Sequence, residues 1–166
     1  MTYLLIAFVL LIIISPLMWF RQSPRQNLII DMRKEAARLG LIVSLSAPPD
    51  ARQGETRLEC ITYKLPWMLD SSSSQQPRME NWLLVKGASR GSSSPWLPWQ
   101  WLSRESSGFT MDAIGVALAA IPGDISALEA RGDGLLVYWK EYGELEDVAA
   151  IYELLFLLRK NIRSNV

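Results

Sequence analysis

One cysteine and no histidine set the limits of this chain's chemistry. Without imidazole there is no Ser-His-Asp or Cys-His catalytic arrangement, no His-ligated zinc and no histidine pH switch. A single Cys60 excludes an internal disulfide and a multi-cysteine metal cluster. Its neighbours Glu59 and Ile61 do nothing to lower a thiol pKa, so Cys60 reads as a strand cysteine packed for its size. The run from Lys86 through Ser94 has the Gly-Ser-Lys composition of a phosphate loop but lacks the Gly-x-x-x-x-Gly-Lys-Ser/Thr order that aims backbone amides at a phosphate. Glu141, Glu144, Glu146 and Asp147 are a possible hard-cation set, but their spacing matches no calcium loop, and capping of a following helix accounts for three of them. Lys140 and Glu141 are adjacent on an expected strand and so point to opposite faces. Arg131-Gly132-Asp133 has adhesion-motif letters, yet Asp-Gly between two apolar runs is a hairpin turn. No catalytic, cofactor-binding or metal-binding residue is assigned, and a non-enzymatic role is expected.

Aromatic residues carry more content. Three of the seven tryptophans, Trp96, Trp99 and Trp101, fall within six residues, beside Leu97 and Leu102 and inside a stretch rich in Pro and Ser. Tryptophan is enriched both in binding hot spots and at membrane interfaces. These five residues are therefore candidates for partner binding, with burial in an intramolecular core as the alternative. The same holds for the apolar face of residues 148–158, represented by Ile151 and Leu155, where the only charge is Glu153.

The elements that must position these groups follow from periodicity. Residues 26–39 carry Leu28, Met32, Ala36 and Leu39 at helical spacing and stop at Gly40. Residues 41–46, 56–65 and 81–88 read as strands, and 109–121 as a helix that stops at Pro122-Gly123. Residues 124–130 and 135–142 form a hairpin pair, and 144–162 form the last helix, acidic at its start and basic at its end. In the strand 56–65, Ile61, Tyr63 and Leu65 share one face and Leu58 and Cys60 the other, so it is buried on both sides or bulged. The segments 70–78 and 89–108 read as flexible, Ser-rich connections. The fold class expected is α+β: an N-terminal transmembrane helix, then one domain with a mostly antiparallel sheet of about five strands packed by helices.

Residues 2–20 contain no charged side chain, and as a helix these 19 residues would reach roughly 28 Å, close to the hydrocarbon thickness of a bilayer. Tyr3 and Trp19 lie near the two ends as interfacial rings, and Arg21 and Arg25 follow as headgroup contacts. A signal peptide has a basic segment before its apolar run and small residues after it; here Met1-Thr2 precede and Met-Trp-Phe-Arg-Gln follow. The expected organisation is an anchor over 1–20, a basic juxtamembrane linker over 21–26 and a domain over 27–166. The positive-inside rule puts that domain in the cytoplasm, with the bacterial inner membrane as the expected setting.

The net charge is zero but uneven: +5 over residues 21–104, −8 over 105–158 and +3 over 159–166. The basic excess starts at the membrane, where anionic headgroups would attract it, and the acidic portion should turn from lipid or meet a basic partner. No basic stripe suggests nucleic acid. The expected function is a single-pass accessory or scaffolding protein whose partners are membrane lipid and another membrane or cytoplasmic protein, or a second copy. The alternatives are a membrane-bound enzyme using carboxylates or a serine, and a lipid-surface or envelope-organising module.

Overall fold

The structure is a computed structural model that describes residues 2–4, 6, 8, 23–51, 58, 60–67 and 80–164. Helix α1, Pro24–Arg38, is set at both ends by its own sequence. The Ser23 hydroxyl accepts from the Gln26 amide at 3.2 Å while the Gln26 side chain accepts from the Ser23 amide at 3.1 Å, a reciprocal capping box with Pro24 in the first turn. Ser23 is extended, so α1 starts here. At the other end Gly40 has φ +84, which lets the Leu41 amide reach the Ala36 carbonyl at 2.9 Å and the Gly40 amide the Ala37 carbonyl at 3.1 Å. Within the expected linker over 21–26, Pro24, Arg25 and Gln26 are the first turn of α1, which they can form because proline needs no amide partner there.

Seven strands follow: β1 Ile42–Ser46, β2 Cys60–Pro66, β3 Trp82–Lys86, β4 Ser92–Ser93, β5 Trp99–Trp101, β6 Ile125–Arg131 and β7 Gly134–Trp139. Helix α2, Gly108–Ala119, precedes β6, and α3, Leu145–Ser164, closes the chain. The strands form one antiparallel sheet in the order β1-β2-β7-β6-β3-β5-β4. This is the α+β architecture expected, with two strands more. Both extra strands, β4 and β5, lie inside the stretch 89–108 that its Ser and Pro content marks as flexible. The correction has a local cause. Trp99-Gln100-Trp101 has the period-two pattern of a strand and sends both indoles to one face. Gly91, at φ +122, lets β4 close on it: a Cβ there would stand 2.3 Å from the Trp101 carbonyl oxygen.

Registers define two ends of the sheet. Ile61, Trp139, Ile125 and Leu45 lie at one end, called the upper end; Pro66, Gly134, Arg131 and Trp82 lie at the other, the lower end. The β6–β7 hairpin turns at the lower end through Gly132-Asp133, as its Asp-Gly letters predict. Helix α3 leaves β7 at the upper end and runs down, and α1 also runs down because it leads into Ile42, opposite Lys64. Helix α2 runs up, from near Glu80 to Ile125.

All three helices pack on one face. Their core holds Met32 and Ala36 from α1, Ile114 from α2, and Val148, Ile151, Leu155 and Leu158 from α3, against Tyr63, Trp82, Leu84, Leu128, Val137 and Trp139. Each large side chain buried this way contributes about 2 kcal/mol of hydrophobic stabilisation. The opposite face carries a smaller cluster, Val85, Ala88, Ala127 and Tyr138, with half-buried Cys60, Leu83 and Leu102. Strand β2 is accordingly covered on both sides at its centre, with Tyr63 and Thr62 at 0% and 1% exposure; the bulge lies in β6, between Ile125 and Ala127.

At the N-terminus Thr2, Tyr3, Leu4, Ile6 and Phe8 are helical, and their side chains are exposed. Among the described residues no helix is long and apolar enough to cross a membrane. Most of the expected span, with Trp19, and also Arg21 and the segment 70–78, lies outside the described residues.

Candidate functional site

The most connected polar group is Glu141, just past the upper end of β7. Its strand ends at Trp139, so Lys140 and Glu141 do not alternate across a sheet as expected. Glu141 instead adopts φ +55, a left-handed backbone that costs a non-glycine residue roughly 1 kcal/mol, and turns its carboxylate inward to 4% exposure. Arg33 of α1 meets it with two donors, Nε to Oε1 at 2.8 Å and a terminal nitrogen to Oε2 at 2.6 Å. The Tyr63 hydroxyl of β2 donates to Oε1 at 2.8 Å. Arg25 then donates to the Glu141 carbonyl and, at 3.0 Å, to the Gly143 carbonyl. Burial, then the bond to Glu141, holds the Tyr63 phenol far above its ordinary range; the Glu141 hydrogen bond raises Arg33 in turn. Alongside, Asp124 accepts from the Trp139 indole and, at 3.2 Å, from the Tyr142 amide.

This arrangement fastens one element to another. Both carboxylate oxygens are engaged and the tyrosine proton is locked. What it does is fix the first helix after the expected span to the strand–helix junction β7–α3. It also places Glu141, from the acidic portion of the chain, at the upper end against a basic partner. Among the described residues, the basic side chains that follow the expected span are similarly engaged: Arg25 on carbonyls, Arg33 on Glu141, Lys34 on Asp31 at 3.2 Å and Arg38 on Glu35 at 2.5 Å. Arg25 is therefore a clamp in this structure, bonded to two backbone carbonyls.

A second cluster lies on the other face. The Tyr138 hydroxyl donates to Glu129 at 2.7 Å and accepts from Arg131 at 3.0 Å, while Arg131 Nε reaches the other Glu129 oxygen at 2.7 Å. Burial again raises the Tyr138 phenol far above its usual range.

The expected contact residues divide. Trp99 and Trp101 are core, at 5% and 1% exposure, and Trp101 meets Trp82 edge-on at 6.1 Å and Trp96 at 6.2 Å. Ile151 and Leu155 are wholly buried under the helices. These four take the core alternative, because strand alternation and helix packing take the apolar area that a loop would have left free. Trp96 and Leu102 are half-buried, Trp96 lying against Gly115 of α2. Leu97 alone of the five stands out, at 93% exposure on the turn before β5.

The phosphate-loop letters are spent on connections. Lys86 donates to the Gly123 carbonyl at 2.9 Å, Arg90 reaches the Asp50 and Ala51 carbonyls, and Ser92 bonds Glu105 at 3.1 Å. In the acidic set, Asp147 accepts from the Glu144 amide at 2.8 Å, a helix-capping role, and among the described residues no three His, Cys, Asp or Glu side chains are grouped to hold a metal.

Sequence reading missed one feature at the lower end. Phe156, Arg159, Lys160, Arg163 and Ser164 follow one face of the last turns of α3 and line a groove of about 290 Å³. Arg159 is 7% exposed, donates to the Pro66 carbonyl at 2.9 Å and lies 5.4 Å from the Phe156 ring centre; burial lowers its pKa. The three cations also complement the negative end of the helix dipole, which is how the sequence presents them. No family model matches this chain, and no curated protein or solved structure is found to be similar to it.

Proposed function

We propose that the chain is a single-pass, membrane-anchored accessory or scaffolding protein whose α+β domain is held on the cytoplasmic side to bind a partner. One observation carries the reading. Tyr3, Leu4, Ile6 and Phe8 are helical yet 88%, 75%, 51% and 65% exposed, while the sheet and its three helices build a complete core from other residues. Apolar side chains left outside a finished core need another apolar medium, and an uncharged run of this length matches a bilayer. The Arg33–Glu141–Tyr63 junction supports it as well, since it couples the helix that follows the span rigidly to the body. The test is extraction of the full chain from cell membranes with alkaline carbonate, together with labelling of a C-terminal thiol from either side. The anchor reading expects retention in the membrane pellet and labelling only after permeabilisation. Release into the supernatant would remove the anchor, and labelling in intact cells would reverse the topology.

A further inference from the structure

The exposed apolar side chains of the folded body are unevenly spread. Leu97 is 93% exposed, Tyr142 75%, Val116 67% and Leu145 38%. All four belong to the upper end. Leu97 precedes Trp99, which pairs with Lys86 at the top of β3; Tyr142 follows Trp139; Leu145 starts α3; and Val116 is near the top of α2. At the lower end the corresponding residues are fewer, Ile42 at 47% and Leu157 at 51%, and neither reaches the exposure of Leu97, Tyr142 or Val116. Helix α1 also begins at the upper end, where Arg25 holds the Gly143 carbonyl. Four Cα steps separate Phe20, the end of the expected span, from Pro24, and fully extended they reach at most about 14 Å.

We infer that the upper end of the domain rests on the bilayer that the span enters, with the turn Trp96-Leu97-Pro98 and Tyr142 as its interfacial contacts. This rests on the anchor reading above. Covalent reach supplies the occupant: a tether this short keeps the start of α1, and with it the upper end, within about 14 Å of the end of the span. The contacts suit the place. Leu97 offers an aliphatic tip, and Tyr142 an amphipathic ring of the kind that settles at headgroup level. Between them lie three strand spacings, β7 to β6 to β3 to β5, or about 14 Å, enough for two footholds that fix the tilt of the domain. The charge at this end is mixed, with exposed Glu144 and Glu146 beside Lys86 and Lys140. Docking is therefore driven by apolar contact and not by attraction to anionic lipid.

The experiment uses the full chain in vesicles of phosphatidylcholine, with and without phosphatidylglycerol, on a Cys60→Ser background. An environment-sensitive fluorophore is placed through Leu97→Cys or Tyr142→Cys, and at the lower end through Asp133→Cys or Leu157→Cys. All four sites are exposed, and near-ultraviolet circular dichroism checks each fold. The inference expects blue-shifted emission, quenched by brominated acyl chains, at 97 and 142 in both lipid mixtures, and aqueous emission at 133 and 157. If the chain floats with the vesicles but 97 and 142 report water, docking is wrong and the anchor stands. A chain that does not float removes the anchor reading and the inference with it. Docking that appears only with phosphatidylglycerol overturns the apolar drive, and shielding of 97 and 142 in cell membranes but not in pure lipid assigns this end to a protein partner instead.

Discussion

Two tyrosine–glutamate–arginine clusters sit on opposite faces of the same sheet, on neighbouring strands. Tyr138, Glu129 and Arg131 come from one hairpin and share its outer face, so a two-residue turn is enough to assemble them. Tyr63, Glu141 and Arg33 come from β2, the β7–α3 junction and α1, and Arg33 is 108 residues from Glu141. The chemistry is nearly the same; the work differs. The hairpin cluster stiffens what is already local, whereas the junction cluster closes a long loop and joins α1 to the sheet. Its loss should therefore be felt across the molecule, and that of its counterpart only near the lower turn.

The largest expected effect follows from Glu141→Ala. It strands the buried Tyr63 hydroxyl and takes both Glu141 hydrogen bonds from Arg33, whose own side chain is 44% exposed and can turn to water. Breaking a buried pair costs about 3 kcal/mol, with the exposed arginine pulling the value to the lower side. A urea titration of the full chain in mild detergent, followed by tryptophan fluorescence, measures it, and hydrogen exchange should rise along α1. Loss confined to residues near 141 would mean that the junction is not a clamp.

Next in size is the response to alkali, which both clusters share. Each phenol is raised above its unfolded value of 10.0, so the folded state keeps a proton that the unfolded chain gives up. Stability from these groups is complete below about pH 10 and falls as pH rises above it, by about 1.4 kcal/mol per tyrosine at about pH 11. Urea midpoints at about pH 9 and about pH 11 should differ in this direction, and Tyr63→Phe and Tyr138→Phe should each flatten the difference. If only one does, the two clusters are not equivalent in protection.

The contrast between the clusters also marks what a single sequence reveals. The hairpin was legible: apolar runs around Gly132-Asp133 fix the register, and the register puts Glu129, Arg131 and Tyr138 on one face. Helix α1 was legible from Met32 and Ala36 and from Gly40, and α3 from its acidic start and basic end, because these signals lie within one turn of the backbone. Glu141 was not. Continuing β7 to 142 made it a strand residue, and only a left-handed backbone, rare outside glycine, turns it toward an arginine that no local spacing connects to it. Trp99 and Trp101 failed for a related reason: composition marked their segment as a loop, while a three-residue alternation, too short to stand out, made it β5. Leu97 kept its expected exposure because it sits on the turn, one residue outside that alternation.

Tyr138→Phe at pH 7 tests the smaller cluster by itself. Arg131 continues to hold Glu129; two of the three hydrogen bonds go, but the half-exposed Arg131 donor turns to water, so the net loss is about 1 kcal/mol. Tyr63→Phe should exceed it, because Tyr63 is wholly buried and its carboxylate partner is shared with α1. Equal losses, measured as urea midpoints at constant slope, would mean that sequence separation adds nothing to the junction.

The smallest effect belongs to the ion pair at the foot of the hairpin, Lys64 to Asp133 at 2.7 Å. Lys64, by its hydrogen bond, holds the Asp133 carboxyl below its ordinary range. A lowered carboxyl contributes stability above its unfolded pKa and loses it as pH falls through the folded one, so the contribution should be present at neutral pH and absent in acid. Asp133 is 60% exposed, however, and solvent screens the pair. Asp133→Asn should cost within about 0.5 kcal/mol at low salt and nothing measurable at about 0.5 M salt, where the Debye length is shorter than a side chain. The hairpin turn survives the change because Asn and Gly suit it as well as Asp and Gly do. A larger, salt-resistant loss would show that Lys64 draws β2 to the turn, and that the hairpin cluster, too, depends on a contact beyond its own two strands.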